Sequence, residues 1–404
     1  MKRVDELASV SDDPICITRN YGSPAFLAGR QMVLRWMNEA GLHTRIDQVG
    51  NLRARLDSKV PGAKTFLVGS HIDTVVNAGR FDGPLGVIMG IDLLQQLQLD
   101  ETPMPFNIEL IAFCDEEGVR FHTTFLGSMS VAGLLQPAML VKADAGGINV
   151  WEAIIAMGGD PERLHEDAFD PGCLLGYFEI HIEQGPVLYD SGLPAAFVKA
   201  IAGQSRIEVS FKGEAGHAGT VPMTKRKDAL CAAAEFILGA EEFAKINEHA
   251  LVATVGTVKT LHASSNVIPG EVVCSLDVRN ENEDILESST LVLQQLAGAI
   301  GKRRKIDIRW KVVNNTKPVH CDVQLSQLLD QSIREAGFQS VELVSGAGHD
   351  AVPLSCISPV CMMFVRCFKG ISHHPLENVE LNDLRAALQI ADIFIHRLIE
   401  KHPF

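Results

Sequence analysis

"TFLVGSHIDTVVNAGRFDGPLGVIMGIDLLQQLQ", residues 65–98, decides how this chain is read. It opens on a short apolar run with the length and composition of a buried strand. It closes on "GPLGVIMGIDLLQQLQ", whose apolar residues recur at helical spacing. Between the two, the apolar run stops in His71 and Asp73, and Asp82 stands just before the helix. A solvated loop needs charge, but it does not need imidazole and carboxylate at the mouth of a buried strand. That placement asks for a cation.

The strand-then-helix rhythm continues with "FNIELIAFCD" (106–115), a short helix in "GSMSVAGLL" (127–135) and the strand "GYFEIHIEQG" (176–185). Such alternation predicts an α/β fold on an open, mainly parallel sheet, with ligands gathered beyond the carboxyl ends of its strands. From about residue 204 the order becomes β-α-β-β-α-β. Its parts are "SRIEVSFKGEA" (205–215), "DALCAAAEFILGAEEFAKI" (228–246), "LVATVGTVKTL" (251–261), "EVVCSLDVRN" (271–280), a helix over 283–300 and "KIDIRWKVVN" (305–314). This is the ferredoxin-like split motif. The helix "QLSQLLDQSIREAG" (324–337), the strand "PVCMMFV" (359–365) and the amphipathic helix "LNDLRAALQIADIFIHRLIE" (381–400) then resume the first architecture. The expected organisation is a catalytic domain of residues 1–203 and 319–404, interrupted by an inserted domain of residues 204–318.

At 404 residues the chain exceeds one ordinary core, and 46% hydrophobic with 21% charged residues is the balance of a soluble globular protein. A net charge of −14 argues against a nucleic-acid partner. No apolar run approaches the roughly 18 residues of a membrane span. The start, "MKRVDELASVSDDP", lacks the apolar core of a signal peptide, so the expected location is the cytoplasm. Nine cysteines without a C-x-x-C pair argue against both a disulfide framework and a zinc ribbon.

Three strand ends finish in His or Glu. His71 and Asp73, Asp82, Glu116 and Glu117, His181, and His373 in "GISHHPLE" all fall at one sheet edge. Singly, a strand-end His is most often hydrogen-bonded structure and an Asp-Glu-Glu run a solvated turn. Together they supply five ligands, enough for two divalent ions about 3.5–4 Å apart bridged by one carboxylate. Nitrogen and oxygen donors without cysteine fit Zn²⁺ or Mn²⁺. Asp73, two residues beyond His71, is placed to accept the other ring N–H and fix its tautomer. Of the neighbours Glu116 and Glu117, one can ligate while the other serves as general base. His349 in "GAGHDA" is a weaker candidate, and His374 reads as a wall residue. His43, His165, His249, His262, His320, His396 and His402 sit in no motif.

With these residues in view, the sequence resembles the dinuclear-metal M20 peptidase-like amidohydrolases, and within them the branch of allantoate amidohydrolases and N-carbamoyl-L-amino-acid hydrolases. The resemblance is carried by "GSHIDT", "FDGPLG", "DEEGVRF", "HIEQGPVL", "GHAGTVPM", "NVIPG", "LDVR", "SGAGHDA" and "GISHHP", in the family's order. It implies that His71 and His181 hold one metal, Glu117 and His373 the other, and Asp82 both, with Glu116 as the base. His181 stands where related peptidases usually carry an acid, which points to the ureido-cleaving branch. The resemblance also implies that the inserted domain is a mobile lid that forms a homodimer. His217 would then polarise the scissile carbonyl across the dimer, while Asn266 and Arg279 bind substrate, with Gln184 and Gln204 as weaker candidates. An Arg at the end of "EVVCSLDVR" also offers, on its own chemistry, a planar fork for a carboxylate. Asn266, in "SSNVIPG", equally suits a plain turn.

The expected activity is hydrolysis of the terminal ureido C–N bond of a small carboxylate, with allantoate first and N-carbamoyl-L-amino acids second. An aminopeptidase or dipeptidase would share the metal site, but His181 disfavours it. A non-catalytic metal-binding protein is disfavoured by Glu116, an acid that a mere metal cage does not use.

Overall fold

The computed structural model describes residues 1–247 and 250–402, so His249 lies outside the described residues. The chain divides into two compact units, residues 1–199 together with 321 onward, and residues 200–320.

In the first unit, β1 (Thr65–His71) leads to α1 (Pro84–Leu99), followed by β2 (Asn107–Phe113) and β3 (Leu174–Ile182). Every residue of β1 is buried, as expected of a parallel strand covered on both faces. It runs between β2 and β3, parallel to each. The strand order therefore puts His71, Glu116 and His181 at one end of the sheet.

Two glycines set how α1 meets that end. Gly83 has φ 82°, and a Cβ there would lie 2.4 Å from the His71 ring. A Cβ on Gly86 would lie 2.1 Å from the Ile180 carbonyl oxygen. Only glycine allows this approach, and it delivers Asp82 to the His71 edge.

The second unit contains β4 (Gly203–Lys212), α2 (Ala229–Ile246), β5 (Val252–Leu261), β6 (Glu271–Asn280), α3 (Glu283–Arg304) and β7 (Asp307–Thr316). Its strands form an antiparallel sheet in the order β7-β4-β6-β5. Burial alternates residue by residue along β6, the signature of a sheet with one covered face. Val209, Phe211, Val272 and Leu276 of that face pack with Phe236 of α2 and Leu293 of α3.

The chain then returns to the first sheet with β8 (Val360–Val365), parallel to β3, and ends in α4 (Leu381–Lys401). Phe394 of α4 packs on Phe178 of β3, ring centroids 4.6 Å apart. Antiparallel strands flank the parallel centre: Leu52–Leu56 beside β2, and Ala195–Ile201 beside β8. Among the described residues, no helix is long and apolar enough to cross a membrane.

Candidate active site

His71 ends β1 and His181 lies on β3, with their Nε2 atoms 3.5 Å apart. Asp82 enters from the turn before α1. Its Oδ1 lies 3.2 Å from His181 Nε2 and 3.8 Å from His71 Nε2, while its Oδ2 lies 3.0 Å from His373 Nε2. His373 Nε2 is also 3.5 Å from Glu117 Oε1. One carboxylate thus faces two histidines with one oxygen and a third with the other.

The donor atoms fall into groups that could each surround a cation: His71, Asp82 and His181; His71, Glu116 and Glu117; and Asp82, Glu117 and His373. Electrostatics supports the same reading. Burial opposes the charge on Asp82, yet hydrogen bonds from His181 and His373 hold it far below the usual carboxylate range. Burial also opposes a proton on His181, but the bond to Asp82 and its charge raise that ring to about 9. The bond to Asp82 likewise raises His373 to about 9. These protons stand where cations would sit, and an ion entering the site displaces them. Burial and then Asp82 push Glu117 up to about 8, and burial with Glu117, Asp350 and Asp73 drives Glu116 well above its ordinary value. Carboxylates this buried and this close to one another resist ionisation, and a divalent ion would offset that cost.

The backbone around the site is built to aim these groups. Asp73 accepts the main-chain N–H groups of Glu116 and Glu117, each at 3.1 Å, with separate carboxylate oxygens. Its expected bond to His71 is corrected here. His71 Nδ1 lies 3.0 Å from the Asp73 carbonyl oxygen and 3.7 Å from the carboxylate. The carboxylate is turned toward the two amides, so the main chain fixes the His71 tautomer. His181 Nδ1 likewise meets the Ile182 carbonyl at 3.0 Å. Gln184 and His373 hold φ 58° and 53°, a left-handed conformation unusual outside glycine. From there Gln184 Nε2 donates to Asp82 Oδ2 at 2.9 Å.

Two supporting residues escape the motif reading. Glu377 is buried, and its Oε1 accepts the main-chain N–H groups of Phe81 and Asp82 at 2.7 and 3.1 Å. Ser372 donates to Asp82 Oδ2 at 2.8 Å. Both sit in "SHHPLE" beside His373, but nothing in the spacing says that they clamp a loop almost three hundred residues upstream. His349 is buried edge-on against His181, ring centroids 4.6 Å apart, and its Nε2 meets Ser345 Oγ at 2.7 Å. His374 is exposed and accepts from its own loop at Leu376 N.

The other predicted residues belong to the second unit. His217 pairs with Val267, and Ala218 N donates to the Asn266 carbonyl at 2.9 Å. Arg279 stands opposite Gln204 in the β6–β4 register. Its guanidinium grips Asp277 through Nε at 2.8 Å and Nη2 at 3.1 Å, and Gln204 Nε2 donates to the same carboxylate at 2.5 Å.

Imidazole and carboxylate donors at the carboxyl ends of parallel strands, with a further buried acid beside them, define a metal-dependent hydrolase. The chain belongs to Peptidase family M20/M25/M40, whose sequence model matches residues 67–397. Allantoate deiminase 2 of Glycine max is 38% identical, covering 98% of this chain and 88% of its own. The N-carbamoyl-L-amino acid amidohydrolase of Geobacillus stearothermophilus is 38% identical, covering 93% and 92%. A hydantoinase/carbamoylase family amidase from Burkholderia multivorans superposes with a TM-score of 0.90 at 29% identity, covering 98% and 96%.

Proposed function

We propose that this chain hydrolyses the terminal ureido C–N bond of a small carboxylate, and that allantoate is its substrate. The observation that carries the reading is Asp82, one oxygen toward His181 and the other toward His373, with the buried acid Glu116 beside the group. His71 and His181 would hold one divalent ion, Glu117 and His373 a second, and Asp82 both, with Zn²⁺ or Mn²⁺ suited to the donors. Such ions supply Lewis acidity and a water of low pKa. Glu116 takes the proton of the attacking water and returns it to the leaving nitrogen. His217 donates to the developing oxyanion, and Arg279 with Asn266 holds the substrate carboxylate. Cleavage of allantoate then releases ammonia and a carbamate, which loses carbon dioxide to leave a ureidoglycine-type product.

The second unit supports a lid and dimerisation role. Its strand order, with two helices on one face, is that of a ferredoxin-like domain inserted between the two catalytic segments. From the Gln204–Arg279 row to the Lys212–Glu271 row the strands advance eight residues, about 27 Å, and His217 lies beyond the second row. One small substrate cannot span that distance. Within one chain, His217 and Asn266 would therefore serve one site and Arg279 with Gln204 another, so each site of a homodimer would pair Arg279 of one subunit with His217 and Asn266 of the other. Nine unpaired cysteines suit a reducing, cytoplasmic setting.

The Geobacillus relative favours N-carbamoyl-L-amino acids as the second reading. Ammonia release from allantoate and N-carbamoyl-L-amino acids, set beside amino-acid release from dipeptides, each with added Mn²⁺ or Zn²⁺, separates the readings. Highest kcat/KM on allantoate supports the proposal. Highest kcat/KM on a carbamoyl amino acid moves the substrate to the second reading, and turnover of dipeptides alone overturns both.

A further inference from the structure

The second unit contains a concave pocket of about 410 Å³ formed by residues 223–228, Cys231 and residues 303–305. Six of its side chains are cationic: Lys225, Arg226, Lys227, Arg303, Arg304 and Lys305. Asp228 is the one acid in that lining, and its Oδ1 is engaged in capping α2, accepting Leu230 N and Cys231 N at 3.0 Å. Glu235 pairs with Arg303 and Arg304, and Glu214 with Lys227. Six cations against these three carboxylates leave a local charge of +3, in a chain whose net charge is −14. Lys225 and Lys305 enter no ion pair among the described residues.

A basic last turn is ordinary on a helix such as α3, because the helix end carries roughly half a negative charge. That accounts for a fraction of the excess and for none of Lys225 to Lys227, which come from a different segment. The pocket falls in the range of small-molecule sites, roughly 300–1,000 Å³. Three arginine guanidinium groups and three lysine ammonium groups lining a hollow of that size match a compact ligand with several anionic oxygens.

Arg226 joins this pocket to the segment carrying His217. Its Nη2 donates to the Ala218 carbonyl at 2.6 Å and its Nε to the Val221 carbonyl at 3.1 Å. We infer that the pocket is a binding site for a small molecule bearing a phosphate group, and that its occupant steadies the loop after His217 through Arg226. The pocket shares no residue with the His, Asp and Glu cluster, and the inference does not depend on the substrate.

Hydrogen exchange of the intact, metal-loaded protein, titrated with inorganic phosphate at constant ionic strength against chloride, tests it. The expected result is saturable slowing of exchange in peptides covering 217–231 and 301–306. In a Lys225→Gln/Lys305→Gln protein, the phosphate concentration giving half the effect should rise at least tenfold. Both lysines are exposed, and Lys305→Gln alone gives a second, milder variant with a smaller shift in the same direction. Any phosphate held at the metal-ligand residues registers separately in peptides covering 69–82 and is the same in all three proteins. Protection confined to 69–82, or half-effect concentrations equal in wild type and variants, overturns the site. Protection of 223–231 without slowing at 217–221 overturns the link to the His217 loop.

Discussion

Asp73 accepts the main-chain N–H of Glu116 at 3.1 Å, so the residue just past one strand sets the carboxylate at the end of its neighbour. The other Asp73 oxygen does the same for Glu117. Asp73→Ala strands two largely buried amides, at about 1–3 kcal/mol each. The expected outcome is a lower melting temperature together with loss of bound metal, Asp73→Asn falling between the two. Thermal denaturation with elemental analysis checks it; unchanged metal content in Asp73→Ala would show that the anchor is dispensable.

Glu116 and Glu117 are adjacent in sequence, and the proposal gives them separate roles. Glu116→Gln should keep its metal and lower turnover by about 10²–10⁴-fold, the span of a general acid–base group. Glu117→Gln should instead lose metal, because its Oε1 shares the His373 side of Asp82. The reverse pattern in elemental analysis would exchange the two assignments.

Removing metal should change how stability depends on pH. Burial, then Asp82, raises Glu117 from 4.5 to about 8, and the same pair of causes raises Glu377 to about 7. A carboxyl raised on folding keeps its proton in the native state after the unfolded chain has released it. Stability of the chelated protein therefore falls as pH rises from about 4.5 through about 8, and loss of the raised His181 and His373 protons carries the fall on to about 9. In the loaded protein the cations hold the carboxyl groups ionised and the fall is absent. Melting temperatures of both forms across that window should diverge; parallel curves would mean that the carboxylates are not cation-coupled.

The central strands and the gathering of His, Asp and Glu side chains at one sheet edge were legible because parallel strands buried on both faces read as unbroken apolar runs, so the polar residues ending them stood out. Helix α1, with its Pro84 start, and β6, with its period-two burial, followed the same logic. The antiparallel strands His43–Ile46 and Leu52–Leu56 did not, since they are short and interleave arginine with apolar residues. Glu377 was invisible for another reason. Its partner amides at Phe81 and Asp82 are brought to it by tertiary folding, and no local pattern marks a carboxylate that binds backbone. The Asp73–His71 bond went to the carbonyl because residue spacing places Asp73 without saying which of its oxygens turns inward.

The proposed exchange of His217 between subunits predicts complementation. Mixing His217→Ala with Glu116→Gln protein should restore activity, since a heterodimer regains one site holding both groups. Absence of recovery after demonstrated subunit exchange would contradict the exchange.

Arg279 is held by Asp277 through two nitrogens, an arrangement that fixes the plane of the guanidinium. Arg279→Lys keeps the charge but not the fork, and the fall in kcat/KM should correspond to about 2–4 kcal/mol of transition-state stabilisation, with metal content unchanged. Esterified substrate should lose as much with wild type and little further with the variant. Equal discrimination of acid from ester by both proteins would remove Arg279 from carboxylate binding.

The central claim is that ureido hydrolysis depends on a paired metal centre bridged by Asp82. Its most direct test is titration of the chelated protein with Mn²⁺, or with Zn²⁺, while ammonia release from allantoate is followed. The account predicts activity that rises from background to a plateau at two equivalents of metal per chain, and no rise in Asp82→Ala. Ammonia release that is full without metal, or that saturates at one equivalent, would contradict it.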